Sequence, residues 1–328
     1  MSKLVSVIVP CFNEEKYIAN CIDSLLNNGI NHEQLEIILV DGGSSDNSLS
    51  IINSYKKRFS CIQILHNEDK ITPISLNMGV RSSWGRYILI ASAHAVFEKD
   101  YIKECLNAIE KYNADVVGGV IETTTLTKNK LTNSIVAVLS NAMGVGNSMF
   151  RLGTKDVIAV DTVPYGLYKS ELFEEVGFYN EKLIRNQDIE FSKRLKKNGK
   201  KILLIPGISC KYFARENLKE IAKNNYLNGF WNIKTVFITG SLKSLSLRHF
   251  IPLFFLLSLI IPLLFSIFFV NYFFLMIPAF ISTLYLLLVL ISSLKIYNRQ
   301  KSFFYILFTF VSIHFSYGVG SIMGFLKK

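Results

Sequence analysis

Residues 4–15 read LVSVIVPCFNEE, and residues 36–46 read EIILVDGGSSD. Each stretch begins with a short aliphatic, β-branched run and then turns polar at Pro, Gly or Asp, which predicts a buried strand ended by a turn. A segment with apolar residues at helical spacing follows the first stretch, at Ile18, Ile22 and Leu25. Strand and helix therefore alternate from the start, which predicts an α/β fold with a mainly parallel sheet covered by helices.

The alternation continues along the chain. Further strands are predicted at 61–65, 86–91, 115–121, 161–168 and 202–205, and helices at 48–55, 73–83, 101–112, 170–177, 188–198 and 216–238. Parallel sheets of this type bind ligands beyond the carboxyl ends of their strands. Three predicted strand ends carry polar residues, at 10–14, 41–46 and 92–94, so we expect the functional site there.

The C-terminal part of the chain has a different composition. No Asp, Glu, Lys or Arg occurs between Arg248 and Lys295. A bilayer crossing needs about 20 apolar residues, so this stretch predicts two spans, at about 250–270 and 272–294. We therefore expect a domain at 1–245 and a membrane domain at 246–328.

A third uncharged stretch, 302–326, contains His314 and several glycines. It is predicted as a third span, with a re-entrant or interfacial segment as the open alternative. Basic residues near membrane spans favour the cytoplasmic side. This rule predicts a multi-pass protein of the inner (plasma) membrane with a cytoplasmic N-terminal domain, on the strength of Lys243, Arg248, Lys295, Arg299 and Lys301. A third crossing would put Lys327 and Lys328 outside, against the rule.

The net charge of +11 arises from 36 Lys and Arg against 25 Asp and Glu. No run of basic residues with interleaved aromatic residues occurs, so nucleic acid is not an expected partner. A membrane surface and phosphate-bearing ligands fit the charge better. The five cysteines show no metal-type spacing and are expected to be reduced and mostly buried, as in a cytoplasmic domain.

A set of motifs, in order, resembles family 2 glycosyltransferases, and in particular the membrane-bound succinoglycan-biosynthesis glucosyltransferase type. The motifs are VIVPCFNEE (7–15), DGGSSDNS (41–48), SAHA (92–95), GVGNSMFR (144–151), VDTVPYG (160–166), RNQDIE (185–190) and YFAR…YLNGFW (212–215 and 226–231). The resemblance covers roughly residues 4–240. It implies a GT-A-like nucleotide-diphospho-sugar transferase fold followed by transmembrane helices.

The resemblance also implies a function: inverting transfer of a sugar from a nucleotide-diphosphate donor, a UDP-sugar, to a lipid-linked saccharide in surface polysaccharide or glycolipid biosynthesis. It implies that Asp188 is the general base that takes the acceptor proton. Donor binding is expected from Pro10, Asn13, Glu14, Asp41, Asn77, Arg81 and Ala93. Contacts with the diphosphate or the acceptor are expected from Arg151, Arg185, Arg215 and Trp231.

The expected metal motif departs from the family pattern, because Ser92 stands where the family has Asp and His94 occupies the last motif position. A hydroxyl and one imidazole are weak ligands for Mg²⁺, and Mn²⁺ tolerates nitrogen better. Three alternatives stay open. His94 could hold Mn²⁺ or Mg²⁺ mainly through the donor phosphates, cations could replace the metal, or the site could be impaired. The candidate cations are Lys70, Arg81, Arg151 and Arg215. We expect a weakened dependence on a divalent metal.

Other interpretations of the same residues exist. Asp188 could merely cap a helix, and the aromatic group that includes Trp231 could be an interfacial belt rather than an acceptor platform. Transfer of the sugar directly onto polyprenyl phosphate is the nearest alternative function. A catalytically silent, membrane-bound nucleotide-sugar-binding scaffold is the alternative from another class, suggested by Ser92.

Overall fold

A computed structural model describes residues 3–327 of the chain. The described residues form two compact units. The first contains residues 3–122 and 149–213, and the second contains residues 123–148 and 214–327. The second unit is thus larger than the predicted membrane domain, 246–328, whose boundary stays a prediction.

The elements are numbered in chain order. Strands β1 to β9 are Val5–Cys11, Leu35–Asp41, Ile62–His66, Tyr87–Ile90, Ala95–Phe97, Val116–Thr124, Ile158–Ala159, Leu167–Lys169 and Ile202–Phe213. Helices α1 to α13 are Ile18–Leu26, Ser48–Arg58, Thr72–Arg81, Tyr101–Tyr112, Lys130–Leu139, Ala142–Val145, Met149–Leu152, Glu171–Val176, Gln187–Lys197, Leu218–Thr239, Ile251–Phe268, Met276–Ile296 and Phe303–Leu326. Short 3₁₀ helices occur at Leu242–Ser244, Leu247–Phe250 and Tyr272–Leu275.

One sheet organises the first unit, with the strand order β3-β2-β1-β4-β8-β6-β9-β5 and with β7 paired to β9. β1 lies between β2 and β4 and is parallel to both, with Val5 opposite Leu35 and Tyr87. β2 and β3 are also parallel. On the other side β8 is antiparallel to β4 and β6, and β9 is antiparallel to β5 and β7. The predicted mainly parallel sheet is therefore confirmed for its first half, and the fold is GT-A-like.

The parallel half is held by burial on both faces. Every residue of β2 is buried, and in β1 only Pro10 is partly exposed. Alternate side chains of β1 enter two separate apolar clusters: Val7 and Val9 pack with α1 and α4, and Ile8 packs with α3 and α9. Continuous aliphatic runs of this kind suit only a strand covered by helices on both sides. The carboxyl ends of β1, β2 and β4 consequently meet at one edge.

The predicted strand at 161–168 is wrong over most of its length. Only Leu167–Lys169 forms a strand, β8, and residues 160–166 form an irregular loop. Pro164 has no N–H to donate to a ladder, and Tyr165 adopts a left-handed backbone with φ +47°. The short strand β5 and the helices α5 to α7 were not predicted, because their sequences are too short or too mixed to show a period.

The second unit contains three helices that are long and apolar enough to cross a membrane. They correspond to Leu247–Phe268, Tyr272–Ile296 and Phe303–Leu326, close to the three predicted stretches. The long helix predicted at 216–238 is α10, Leu218–Thr239. Its first turn is capped by Asn217, whose side chain accepts from the N–H of Glu220 at 2.9 Å.

Candidate active site

A cavity of about 450 Å³ opens at the carboxyl ends of β1 and β4, within the first unit. This size is typical of a small-molecule site. Its lining contains residues from the three predicted strand ends together with α7, the 160–166 loop and the start of α9. The residues that line the cavity include Pro10, Phe12, Glu14, Gly42, Lys70, Ser92, His94, Phe150, Arg151, Tyr165, Tyr168, Tyr179, Gln187, Asp188 and Tyr212.

The loops after β1 and β2 are locked together by hydrogen bonds. The backbone N–H of Asn13 donates to Ser44 Oγ at 3.0 Å, and Asn13 Oδ1 accepts from the N–H of Ser45 at 2.8 Å. The N–H of Glu14 donates to Ser48 Oγ at 2.7 Å. Asn13 has a left-handed backbone with φ +57° and does not line the cavity. Its observed contacts therefore position the loop, and the predicted donor contact by Asn13 stays a prediction.

Asp41 also acts on the backbone. Its side chain is 2% exposed, and its carboxylate accepts from the N–H of Gly43 at 3.0 Å and of Ser44 at 3.2 Å. These bonds shape the turn and bring Gly42, rather than Asp41, to the cavity wall. Asp46 Oδ1 accepts from the N–H of Ser48, the first residue of α2, at 3.0 Å.

Glu14 and His94 join the ends of the first and fourth strands. His94 Nδ1 lies 3.2 Å from Glu14 Oε1, and Ser92 Oγ lies 3.3 Å from the ring nitrogens of His94. The ring packs edge-on against Tyr212, with centroids 5.5 Å apart. Ala93, which was expected to contact the donor, is 1% exposed and does not line the cavity.

These side chains do not make a metal cage. Among residues 3–327 no group of three or more His, Cys, Asp or Glu side chains is placed to hold a metal ion. Glu14 and His94 offer one carboxylate and one imidazole, and they are already bonded to each other. Mg²⁺ favours a nearly octahedral set of oxygen ligands, so this donor set does not fit a resident metal.

Two cationic side chains line the cavity. Lys70 has a left-handed backbone, and its side chain lies against the Gly42-Gly43 turn, with Nζ 3.7 Å from where a Cβ of Gly43 would stand. The guanidinium carbon of Arg151 lies 4.9 Å from the centroid of the Tyr212 ring. Both cations therefore face the space next to the Glu14–His94 pair. Lys70 belongs to the loop after β3, and Arg151 belongs to the one-turn helix α7.

The other predicted arginines lie elsewhere. Arg81 does not line the cavity; it packs 4.6 Å over the ring of Phe178 and lies 3.8 Å from Glu181. Arg185 is also absent from the cavity lining. Arg215 and Trp231 belong to the second unit. Their predicted contacts with the diphosphate or the acceptor stay predictions.

Asp188 lies at the start of α9, one residue after Gln187, and its side chain is exposed to the cavity. Asn186 before them has a left-handed backbone, φ +65°, which turns the chain into the helix. Desolvation by the surrounding protein raises the pKa of the Asp188 carboxyl, although backbone N–H groups of the helix start partly oppose it. The buried phenols of Tyr168 and Tyr179 lie beneath it. A carboxylate whose pKa is raised is a stronger base than an ordinary one, which suits it to accept a proton.

Two neighbours of Asp188 differ in their bonding. Glu190 is 7% exposed and forms a two-point pair with Arg194, at 2.7 and 3.0 Å. Arg194 also donates to three backbone carbonyls at 176–178, so the pair ties α9 to α8 and Glu190 is a structural acid.

Gln187 Oε1 is buried and has no hydrogen-bond partner in the described part of the chain. It was not singled out from the sequence.

Asn77 is buried outside the cavity. Its side chain donates to the carbonyl of Tyr179 at 2.9 Å and to Glu181 Oε1 at 2.8 Å, and accepts from the N–H of Tyr179 at 3.0 Å. The Asn77 side chain thus bonds both the carbonyl and the N–H of Tyr179, and these bonds hold Tyr179 beneath Asp188. The observed contacts of Asn77 are positional, and its predicted contact with the donor stays a prediction.

Aromatic side chains are the part of the site that the sequence reasoning missed. Phe12 lines the cavity and is 51% exposed. Phe150, Tyr165 and Tyr212 line the opposite part of the wall. The motifs containing these residues were recognised, but nothing in their spacing shows which members reach the cavity.

The comparisons agree with this architecture. The family model for "Glycosyl transferase family 2" matches residues 6–177, more than half of the chain. A dolichyl N-acetyl-alpha-D-glucosaminyl phosphate 3-beta-D-2,3-diacetamido-2,3-dideoxy-beta-D-glucuronosyltransferase of Methanococcus voltae is 29% identical over 69% of this chain and 71% of its own. Succinoglycan biosynthesis protein ExoA of Rhizobium meliloti is 25% identical over 65% of this chain and 64% of its own, slightly under two thirds of that relative.

Solved structures share the fold. The mannosyltransferase PcManGT of Pyrobaculum calidifontis, in complex with GDP-Man and Mn²⁺, matches with a TM-score of 0.59 at 14% identity over 95% of this chain and 86% of its own. TarS 1-349 of S. aureus, in complex with UDP-GlcNAc, matches with a TM-score of 0.53 at 17% identity over 97% of this chain and 90% of its own. With the family match and the cavity at the strand ends, these findings confirm the resemblance seen in the sequence: the chain belongs to glycosyl transferase family 2 and is a glycosyltransferase.

Proposed function

We propose that this enzyme transfers a sugar, with inversion, from a UDP-sugar to a saccharide carried on a membrane lipid. The observation that carries the proposal is the presence of Asp188 in the same cavity as Gly42, the Glu14–His94 pair and Arg151. Such a transfer requires a base for the acceptor proton, a strand-end turn that can approach a nucleotide closely, and a cation for the diphosphate.

The donor would lie across the strand ends. Pro10, Phe12 and Gly42 offer a narrow, partly apolar wall for the nucleoside, with the exposed face of Phe12 available to a planar base. The choice of UDP rests on the solved complex of TarS with UDP-GlcNAc, a protein of the same fold. The diphosphate would then extend toward Lys70, His94 and Arg151.

The transfer itself balances as a single displacement. An acceptor hydroxyl oxygen attacks the anomeric carbon, the bond from that carbon to the diphosphate oxygen breaks, and the nucleoside diphosphate leaves with the electron pair. Asp188 takes the proton of the hydroxyl. Its raised pKa makes it a stronger base than an ordinary carboxylate.

In this proposal cationic side chains of the cavity stabilise the leaving diphosphate. Arg151 and Lys70 are the cations in the cavity lining, and a guanidinium can bond two phosphate oxygens at once. We assign the main charge stabilisation to these two residues, since the Glu14–His94 pair does not fit a resident metal. A divalent ion that arrives with the donor phosphates would add to this charge, so removing metal should weaken the reaction rather than abolish it.

A lipid-linked acceptor is supported by two observations. Three candidate membrane helices follow the catalytic sequence directly. The relative from Methanococcus voltae is named for action on a dolichyl saccharide phosphate, which favours a lipid-linked saccharide over bare polyprenyl phosphate. Confining the acceptor to the membrane also contributes orientation. The basic residues near the helices place the catalytic unit on the cytoplasmic side in this proposal.

The test is a transfer assay in vesicles with a panel of UDP- and GDP-sugars and three acceptors: a polyprenyl-diphosphate saccharide, polyprenyl phosphate and a soluble disaccharide. The proposal expects product only with a UDP-sugar and the lipid-linked saccharide. Asp188→Asn should abolish it, whereas Asp156→Asn, an exposed acid outside the cavity, should retain it. Preference for the soluble acceptor, or nucleotide binding without turnover of any donor, would contradict the proposal.

A further inference from the structure

The three apolar helices of the second unit have different surroundings. In the most apolar window of α12 11% of the residues are buried, whereas in that of α13 the share is 39%. In their middle parts α11 and α12 expose large side chains, for instance Ile261 at 45% and Leu286 at 58%. Lipid normally covers such surfaces in a membrane span. α13, in contrast, is covered by protein along much of its length.

The N-terminal half of α13 packs on α5 and α6. The N–H of Ser302 donates to Ser134 Oγ at 3.0 Å, and farther along His314 Nε2 lies 2.8 Å from the carbonyl oxygen of Met143. Between these points Ile306 and Phe310 share an apolar cluster with α5. The helix α5 begins in a polar segment, Lys128-Asn129-Lys130, that is exposed.

The C-terminal half of α13 packs on α10, with the two backbones close together. A Cβ on Gly229 would stand 1.9 Å from the carbonyl oxygen of Tyr317, and a Cβ on Gly320 would stand 2.0 Å from that of Tyr226. Farther along, Lys234 Nζ donates to the carbonyl of Lys327. The contacts of Gly320 with Tyr226, Gly324 with Phe230 and Phe325 with Phe237 rise together along both helices, so α10 and α13 run in parallel.

The start of α13 and Gly318 in its C-terminal half also lie near the same end of the α11–α12 pair. α11 and α12 are antiparallel, since Phe265 contacts Phe274 and Phe255 contacts Tyr285. The start of α11 and the end of α12 therefore lie on one side.

α13 begins at that side, where Lys301 Nζ donates to the carbonyl of Ile296 at 2.8 Å. Gly318, fifteen residues after the start of α13 at Phe303, lies against the carbonyl of Pro252 and the side chain of Leu256, at the start of α11. Beyond this point α11 is no longer covered, and Ile261, Leu264 and Phe268 are 45%, 56% and 81% exposed. α13 thus passes across the base of the pair instead of following it.

We propose that only α11 and α12 cross the bilayer, and that α13 lies with α10 at the membrane surface on the side where α11 begins. A third crossing would carry α10 with it, because the two helices are in backbone contact. α10 contains Lys219, Glu220, Lys223, Asn224, Asn225, Asn228 and Lys234. Lysine side chains are unfavourable at the centre of a bilayer.

The lipid head-group layer is the partner that fits the exposed side of this helix pair. Phe237 and Phe325, at the far ends of α10 and α13, contact each other at 5.8 Å and are 60% and 51% exposed. Aromatic rings of this kind concentrate at the membrane interface. Two crossings also keep Lys327 and Lys328 on the same side as Lys295, Arg299 and Lys301. The proposal replaces the predicted third span and does not depend on the transferase activity.

The test is cysteine labelling of the full chain in intact cells with a membrane-impermeant maleimide. All five native cysteines are buried, so the background should be low. The single variants are Tyr272→Cys at the tip between α11 and α12, Asn298→Cys before α13, and Lys327→Cys at its end; all three positions are exposed. Label on Tyr272→Cys in intact cells, with label on the other two only after permeabilisation, supports the proposal.

Label on Lys327→Cys in intact cells at the level of Tyr272→Cys would overturn it, because α13 would then cross. Absence of label on Tyr272→Cys until permeabilisation would also overturn it, because the α11–α12 pair would then not cross. A second measurement avoids substitutions: a C-terminal fusion to GFP should fluoresce and a C-terminal fusion to alkaline phosphatase should be inactive. The opposite pair of results would contradict two crossings.

Discussion

His94 Nδ1 lies 3.2 Å from Oε1 of Glu14, a contact between residues 80 positions apart in the chain. It connects the loop after β1 to the segment after β4, whose parallel strands are adjacent in the sheet. Ser92 adds a hydroxyl, and no second carboxylate joins the pair in the described residues. The pair therefore forms part of a polar wall of the cavity, which Lys70 and Arg151 also line.

The first prediction concerns metal. Wild-type transfer should fall by several-fold in EDTA but should not be abolished, because two cationic side chains line the cavity. Ser92→Asp adds a carboxylate beside His94, so Mn²⁺ should stimulate this variant more than the wild type. The measurement is the initial rate with EDTA and with added Mn²⁺. Complete loss of wild-type activity in EDTA, restored by Mn²⁺, would show that the metal carries the leaving-group charge.

The second prediction concerns Arg151. Arg151→Ala should lower kcat by about 10²–10³-fold, the range seen when one preorganised group that stabilises developing charge is removed. Arg151→Lys should recover only part of the loss, since a lysine cannot bond two phosphate oxygens in the guanidinium geometry. Arg58→Ala is the matched control, because Arg58 also stacks on an aromatic ring, that of Phe59, but lies outside the cavity. Equal effects of the two alanine variants would refute the assignment.

The third prediction follows from the raised pKa of Asp188. The base must be ionised, so activity should fall as pH drops through its pKa in the folded protein, at a higher pH than the ordinary aspartate value of about 3.9. Because the folded state holds this proton more tightly than the unfolded state, ionisation of Asp188 lowers stability as pH rises through that window. Asp188→Asn should therefore melt at the same temperature as the wild type or higher at pH 7. A clear drop in Tm would mean that Asp188 is a stabilising helix cap.

The fourth prediction separates position from chemistry at Asn77. Asn77→Ala leaves the backbone N–H and carbonyl of Tyr179 without their buried partner, which should cost about 1–3 kcal/mol in the free energy of unfolding. Donor affinity should change little in the fraction that stays folded. Asn107→Ala, at an exposed position on α4, is the control and should leave the free energy of unfolding unchanged. Loss of donor binding at unchanged stability would instead support the direct contact expected from the sequence.

The fifth prediction tests the α10–α13 contact. Gly320→Ala places a methyl group 2.0 Å from the carbonyl oxygen of Tyr226, so the helices must separate. The Tm in detergent should fall, whereas Val319→Ala, at a neighbouring position that is 44% exposed, should change it little. Equal Tm values for both variants would argue against a close contact.

Much of the site followed from the sequence because parallel strands present their carboxyl ends at one edge. Pro10, Glu14, His94 and Asp188 line the same cavity, as the motif order implies. The side chains of Asn13, Asp41 and Asn77 could not be placed in this way. Each of these side chains bonds backbone groups, and a motif does not reveal whether a polar side chain faces a ligand or its own chain.

The irregular segment was harder to predict. A strand was predicted at 161–168, yet Pro164 and the left-handed Tyr165 keep residues 160–166 out of the sheet. That loop gives the cavity its Tyr165 wall. The conformation of such a loop depends on tertiary packing, which the periodicity of a short sequence segment does not show. The third apolar stretch has a composition that fits a span, and its sequence does not show the contacts with α10 on which our proposal of two crossings rests.

The most direct measurement of the central claim is a comparison of wild type and Asp188→Asn for both UDP-sugar binding and transfer to a lipid-linked saccharide. The account predicts a donor Kd within about threefold of wild type, and a kcat lowered by about 10²–10⁴-fold, the range for loss of a general base. A variant that binds the donor and still transfers the sugar at the wild-type rate would contradict the account.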